Sequence, residues 1–143
     1  MTSTFMHART RIAGFVLCLA LLCASAAALQ AGSRKTARRI YRFTGVNGGV
    51  VVHVGCGGGE LTAALYRNGA DLVQGLASNR GSVQQARANI WSRGLYGKVS
   101  VGRWNGKALP YARNMVDLLV VEKRRELSRA EMMRVLAPGG VAC

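Results

Sequence analysis

Acidic residues are scarce: 6 Asp and Glu stand against 20 Lys and Arg in 143 residues, a formal charge of +14. So one-sided a surface attracts polyanions non-specifically, nucleic acid or an anionic membrane among them, and a basic surface without a dedicated partner is the plainest reading of it. Histidine is limited to 2 residues and cysteine to 4, and no Cys/His cluster has metal-ligand spacing. Trp91 and Trp104 are too few to argue for base stacking. No internal repeat appears. The length suits one modest domain, and with 50% of residues hydrophobic a packed core is within reach.

The N-terminus has the layout of an export signal. His7, Arg9 and Arg11 form a basic region, Ile12 to Leu22 is apolar, and Ala24-Ser25-Ala26-Ala27-Ala28 offers small residues for cleavage. An uncleaved anchor is the alternative, because Ile12 to Ala31 carries no charge and is just long enough to span a bilayer. Cys23 gives the segment a resemblance to bacterial lipoprotein signals, but Leu22 is bulky where those have a small residue. Residues 1–30 are therefore expected to be a signal peptide or anchor, 31–49 a basic helical lead-in, and 50–143 the folded domain. Cleavage would leave only Cys56 and Cys143. One lies in a glycine loop and the other ends the chain, so no disulfide is expected.

Within the domain, hydrophobic runs alternate with amphipathic stretches. Ser33 to Phe43 reads as a helix with Ala37, Ile40 and Tyr41 on one face. Val50–Val54 is a continuous apolar run, the mark of a strand covered on both sides. A helix is expected over Glu60–Asn68 with Leu61, Ala64 and Leu65 inward, ended by Asn68-Gly69. Strands are expected at Leu72–Leu76, Val99–Val101 and Asp117–Val121. Capping-box patterns at Ser82-Val83-Gln84-Gln85 and Ser128-Arg129-Ala130-Glu131 open two more helices. The first would bury Val83, Ala86, Ile90 and Trp91 and stop at Gly94; the second would bury Met132, Val135 and Leu136. Pro138-Gly139-Gly140 is a turn, and Val141 begins a fifth strand. This alternation predicts an α/β, doubly wound, mainly parallel Rossmann-like sheet of about five strands, incomplete at the C-terminus.

Glycines 55, 57 and 59 follow the first strand directly. They permit backbone conformations closed to residues with a Cβ, and the helix starting near Glu60 turns amide donors toward a polar ligand. A dinucleotide fingerprint needs a third glycine where Glu60 stands, and a phosphate-binding P-loop needs Lys and Ser or Thr where Glu60-Leu61 stand. The spacing present is G-x-G-x-G.

That loop, in Val-Val-His-Val-Gly-Cys-Gly-Gly-Gly-Glu-Leu-Thr, resembles the first motif of class I S-adenosylmethionine-dependent methyltransferases. Leu109-Pro110-Tyr111 resembles the turn before their fourth strand, Val116-Asp117-Leu118-Leu119-Val120 that strand, and Glu131 to Gly140 their helix and turn before strand five. The resemblance implies S-adenosylmethionine as cofactor, an unknown methyl acceptor, and a cofactor pocket at Gly55, Cys56, Gly57, Gly59, Ala77 and Asn105. In the family an acid closes strand two and binds the ribose; here that position is Ala77, with Ser78 and Asn79 as uncharged substitutes. Asn105 stands where an Asp contacts the adenine, and Arg113 where many relatives have an acid. Glu122, after strand four, is the candidate base for a reaction that otherwise rests on alignment; its plain reading is a solvated carboxylate near Lys123 and Arg124. No Asn-Pro-Pro-Tyr signature supports the amino-methylating nucleic-acid branch. His53 reads as a packed neutral imidazole, and Cys56 as a small loop residue whose pKa an adjacent helix N-terminus would lower.

Two expectations pull against catalysis. S-adenosylmethionine is a cytosolic metabolite, whereas the N-terminus predicts export to the periplasm or envelope. The chain also stops within strand five of the family's sheet. Together these features resemble exported bacterial proteins in which a methyltransferase-like domain precedes a quinoprotein-type β-propeller, a domain that would be missing from this chain. A degenerate, non-catalytic envelope module is therefore the alternative to an enzyme.

Overall fold

The computed structural model describes residues 29–122 and 127–143. Residues 33–143 form one compact unit; of the part before it, only residues 29–32, which are helical, are described. The signal-type segment and the Lys123-Arg124 surroundings of Glu122 lie outside the described residues. Among those described, no helix is long and apolar enough to cross a membrane.

The compact unit is a five-stranded sheet with helices on both faces. The first helix, α1, spans residues 33–44. Next come β1 (Gly49–Val54), α2 (Glu60–Leu65), β2 (Asp71–Ala77), α3 (Arg80–Ser92), β3 (Val99–Arg103), β4 (Val116–Val121), α4 (Arg129–Val135) and β5 (Leu136–Ala142). Every pairing is parallel and the order is β3-β2-β1-β4-β5, which confirms the α/β sheet read from the alternating runs. Parallel neighbours require crossovers, and crossover helices bury both faces. That is why the central strand is apolar along its length: Val51, Val52 and Val54 are fully enclosed. Val51, Val73, Val99, Leu118 and Val120 pack on one face with Ala37, Tyr41, Ala63, Leu65, Ala86 and Ile90 from α1, α2 and α3. Val52, Val54, Leu76 and Leu119 pack on the other with Leu109 and with Val135 of α4.

Several element boundaries differ from expectation, each for a local reason. α2 ends at Leu65, not Asn68, because Tyr66 turns extended and Asp71 takes both a side-chain fork and the backbone amide of Arg67. Its buried residues are Thr62, Ala63 and Leu65, with Leu61 and Ala64 only partly covered. α3 is capped by Asn79, whose side chain accepts from the Ser82 amide, so the helix starts earlier than its capping-box pattern suggested. Trp91 is 69% exposed and packs edge-on against Tyr96 rather than into the core. The Pro138-Gly139-Gly140 turn falls inside β5 as a register shift, with Leu136 opposite Val116 and Val141 opposite Leu118.

Besides its apolar packing, α1 makes a buried polar contact with the domain. The Tyr41 hydroxyl donates to the Leu65 carbonyl over 2.6 Å, with the Arg67 guanidinium 3.5 Å above its ring. Burial and then the nearby Asp71 charge push the hydroxyl up to about 12, so it remains a donor at ordinary pH. Burial alone would raise the Asp71 carboxyl, but the Arg67 hydrogen bonds and charge outweigh it and leave it below its usual value. Tyr41→Phe keeps the ring and orphans the carbonyl; the expected loss is about 1–2 kcal/mol in urea unfolding. An unchanged midpoint would show that the contact holds nothing.

Candidate functional site

In an open parallel sheet, ligands sit beyond the carboxyl ends of the strands where the strand order reverses. The chain runs from β1 outward to β2 and β3 and returns to β4 on the opposite side of β1, so the reversal lies between β1 and β4. Two features of this sequence meet there: the loop Gly55–Gly59 leaving β1, and Glu122 leaving β4.

The loop is built by backbone bonds. The Gly55 and Cys56 amides both donate to the Leu76 carbonyl at 2.9 and 3.1 Å, and the Gly59 amide donates to the Cys56 carbonyl at 2.8 Å. Gly55, Gly57 and Gly59 have φ of 88°, 48° and 83°, so the spacing read from the sequence corresponds to three left-handed positions. They serve different ends. A Cβ on Gly59 would sit 2.9 Å from Ala86 Cβ and 3.0 Å from its Cα, so this glycine lets α2 and α3 meet. A Cβ on Gly57 would meet nothing within 4 Å; that position faces open space, where a ligand can lie against bare backbone. From α3, Asn89 donates to the Gly58 carbonyl at 3.0 Å, a support that no motif announced.

Cys56 is buried and packs, with Thr62, into the space over Gly75. Burial pushes its thiol up to about 11 against the weaker pull of the Thr62 hydrogen bond. The lowering expected from the helix N-terminus does not prevail, because α2 is only 6 residues long and desolvation of a thiolate dominates. A protonated thiol at neutral pH is no nucleophile, in keeping with the small-residue reading.

The position expected to face a ribose is poorer. Ala77 closes β2 and is buried, with no polar side-chain atom to offer. The Asn79 side-chain oxygen, a possible substitute, is committed to the Ser82 amide at 2.8 Å. The Asn105 oxygen accepts from the Lys107 amide at 3.1 Å. The residues present thus suit a ligand at the glycine-loop end and lack the carboxylate for sugar hydroxyls.

The Glu122 side chain is 46% exposed, as the plain reading has it, and it also lies close to the core. Its amide donates to the Val54 carbonyl at 3.1 Å, its Cβ lies 3.3 Å from where a Gly55 Cβ would be, and its Oε1 is 3.2 Å from Nε2 of the fully buried His53. The Leu109-Pro110-Tyr111 turn is fixed from α4. The Glu131 carboxylate accepts from the Leu109 amide at 2.6 Å and from Arg134, while Arg134 donates to the Leu109 and Tyr111 carbonyls. This clamp sets the Leu109-Pro110-Tyr111 turn.

The Arg134 hydrogen bonds hold the Glu131 carboxyl well below its ordinary value, at about 2. A depressed folded-state pKa contributes stability above the unfolded value of 4.5, lost as pH falls toward about 2. Glu131→Gln is therefore expected to flatten the acid limb of a stability-versus-pH curve over that window. An unchanged limb would mean that the clamp is not formed in solution.

A groove of about 520 Å³ lined by Val121, Leu127, Met132, Leu136 and Cys143 lies beside α4 and β5 and takes in none of the glycine-loop residues.

Residues 51–140 match the family model described as a methyltransferase domain. Among curated proteins, the chain is similar to the methyltransferase GfsG of Streptomyces halstedii, 34% identical over 118 residues, covering 78% of this chain and 42% of that one. The chain spans about two fifths of the length of the curated relatives it matches. Among solved structures, it resembles the geranyl diphosphate C-methyltransferase of Streptomyces coelicolor, bound to Mg2+, geranyl diphosphate and S-adenosyl-L-homocysteine, with TM-score 0.68, 18% identity, and 76% and 43% of the two chains covered. It also resembles the [4+2]-cyclase SpnF, with TM-score 0.65, 26% identity and coverages of 76% and 43%. At these identities the first likeness shows the fold.

Proposed function

Since this chain belongs to the methyltransferase domain family, we propose that it binds S-adenosylmethionine at the Gly55–Gly59 loop and presents it to a methyl acceptor that remains to be identified. The observation that carries this reading is the loop itself: three left-handed glycines at the strand-order reversal, one of them facing open space. The cofactor supplies an activated methyl group on a good leaving group. The protein's part is to hold the loop amides, the Leu109–Tyr111 wall and Glu122 in one geometry, since alignment supplies much of the rate. Gly55, Gly57 and Gly59 would contact the cofactor through backbone, Cys56 would shape the floor, and Asn105 would stand near the base. Ala77 would hold nothing.

Loss of two carboxylate–hydroxyl bonds, about 1.5–3 kcal/mol each, predicts an affinity at least a hundredfold below that of a site with the acid. Calorimetric titration of the domain is thus expected to show one weak site for S-adenosylmethionine. Absence of heat at millimolar cofactor would overturn the reading.

A second reading, a non-catalytic module in the same fold, is favoured by Ala77 and by the commitment of Asn79 and Asn105 to their own backbone turns. The likeness to a cyclase illustrates that this fold hosts other chemistry. Any methyl transfer by the unmodified chain would exclude it. Export through residues 1–30 is part of this proposal and is tested by N-terminal sequencing of the expressed protein.

A further inference from the structure

Thr62, His53 and Glu122 form a line from the core to the lip of the glycine loop. His53 and Val120 are register partners in β1 and β4, and Glu122 lies two residues beyond Val120, so its side chain leaves the sheet on the same face as the imidazole. Opposite His53 on the other side stands Gly75, where a Cβ would come within 3.0 Å of Cys56 Sγ and of Thr62 Cγ2. The glycine leaves the room in which the imidazole and hydroxyl meet. His53 Nδ1 and Thr62 Oγ1 are 2.8 Å apart. Its Nε2 is completely enclosed and makes no hydrogen bond in this geometry, although Glu122 Oε1 is only 3.2 Å away: the two atoms are in contact, but a proton on Nε2 would not point along the line between them.

A buried polar nitrogen left unmatched is costly, and among the described residues Glu122 is the group at hand to match it if Nε2 carries the ring proton. Its side chain is 46% exposed, which leaves the carboxylate room to re-orient toward the ring nitrogen. The Thr62 hydroxyl has one proton, which Cys56 and Nδ1 compete for; in the arrangement where it goes to Nδ1, an imidazole with a single ring proton carries it on Nε2, on the side of Glu122. One carboxylate oxygen is then tied to the core and the other is left over the loop, beside the Gly55 backbone.

We propose that His53 is a positioning residue that locks Glu122 over the glycine loop, making Glu122 the counter-charge for a cationic sulfonium ligand. This role rests on the S-adenosylmethionine reading above, and it supplies at β4 a negative charge that Ala77 does not supply at β2. Buried His53 does not touch the ligand; it acts through the carboxylate.

Two measurements separate this role from the function beneath it. In long-range 1H–15N spectra of the full chain without ligand, His53 is expected to show a protonated Nε2 and an unprotonated Nδ1, with the Nε2 resonance moving in Glu122→Gln. The opposite tautomer, or an Nε2 signal indifferent to Glu122→Gln, would overturn the link whether or not any cofactor binds. In titrations, Glu122→Gln is expected to weaken S-adenosylmethionine about tenfold while changing the uncharged thioether S-adenosylhomocysteine far less. His53→Leu is expected to reproduce much of that selective loss, and His53→Gln, which keeps both an acceptor and a donor, to restore it. Equal weakening of both ligands would overturn the counter-charge role. Absence of binding by either ligand to the unmodified chain would overturn both that role and the proposed function, leaving the spectra to decide the His53–Glu122 link alone.

Discussion

Ala77→Asp is expected to tighten S-adenosylmethionine binding by about a hundredfold, the worth of two hydrogen bonds from a carboxylate to ribose hydroxyls. The position is the last residue of β2, one strand from the glycine loop, and its backbone is already fixed: its carbonyl accepts the Trp104 amide at 2.9 Å. The same substitution should lower the stability of the ligand-free domain, because Ala77 is buried and an unpaired carboxylate there costs about 1–3 kcal/mol or more. The expected signature is opposed: a lower thermal midpoint alone, and a larger stabilisation by ligand. A carboxylate that changes stability without changing affinity would show that the sugar does not lie against β2.

Gly59→Ala and Gly57→Ala should divide stability from binding. At Gly59 the new methyl meets the Ala86 backbone at 3.0 Å in a left-handed conformation. Strain and overpacking together predict a loss of about 2–4 kcal/mol, a large share of a small domain's stability. At Gly57 the methyl meets nothing and the φ of 48° lies in the region other residues occasionally adopt. There the stability cost is about 1–2 kcal/mol, and the methyl projects where a ligand would approach. Urea melts and titrations of the two variants read this directly. Equal stability losses would mean that the loop conformation, not the contact with α3, is what these glycines provide.

Much of the fold was legible because it rests on patterns that survive without side-chain detail. A five-residue valine-rich run can only be a strand buried on both faces, and glycine spacing after it set the loop. What escaped were choices between nearby groups. Ser82 and Asn79 can each cap a helix, and the sequence does not show that Asn79 bonds the Ser82 amide. Trp91 fits the apolar face of α3 on a helical wheel, yet Tyr96 offers it a partner outside the core. Glu131 fits a capping box, but its carboxylate serves the distant Leu109 amide, a contact 22 residues away that no local pattern encodes. The site was legible in the same uneven way. Gly55 and Glu122 do meet, whereas the local turns that take the Asn79 and Asn105 oxygens are not encoded by the motif, and the approach of His53 to Glu122 depends on register between strands.

The central claim is that the glycine loop holds the cofactor, and the most direct measurement is a 1H–15N titration of the labelled chain with S-adenosylmethionine. The account predicts saturable shifts at the amides of Gly55, Gly57, Gly58 and Gly59 and at Glu122, with α1 unmoved. Spectra unchanged at millimolar cofactor, or shifts confined to the basic residues of α1, would contradict it.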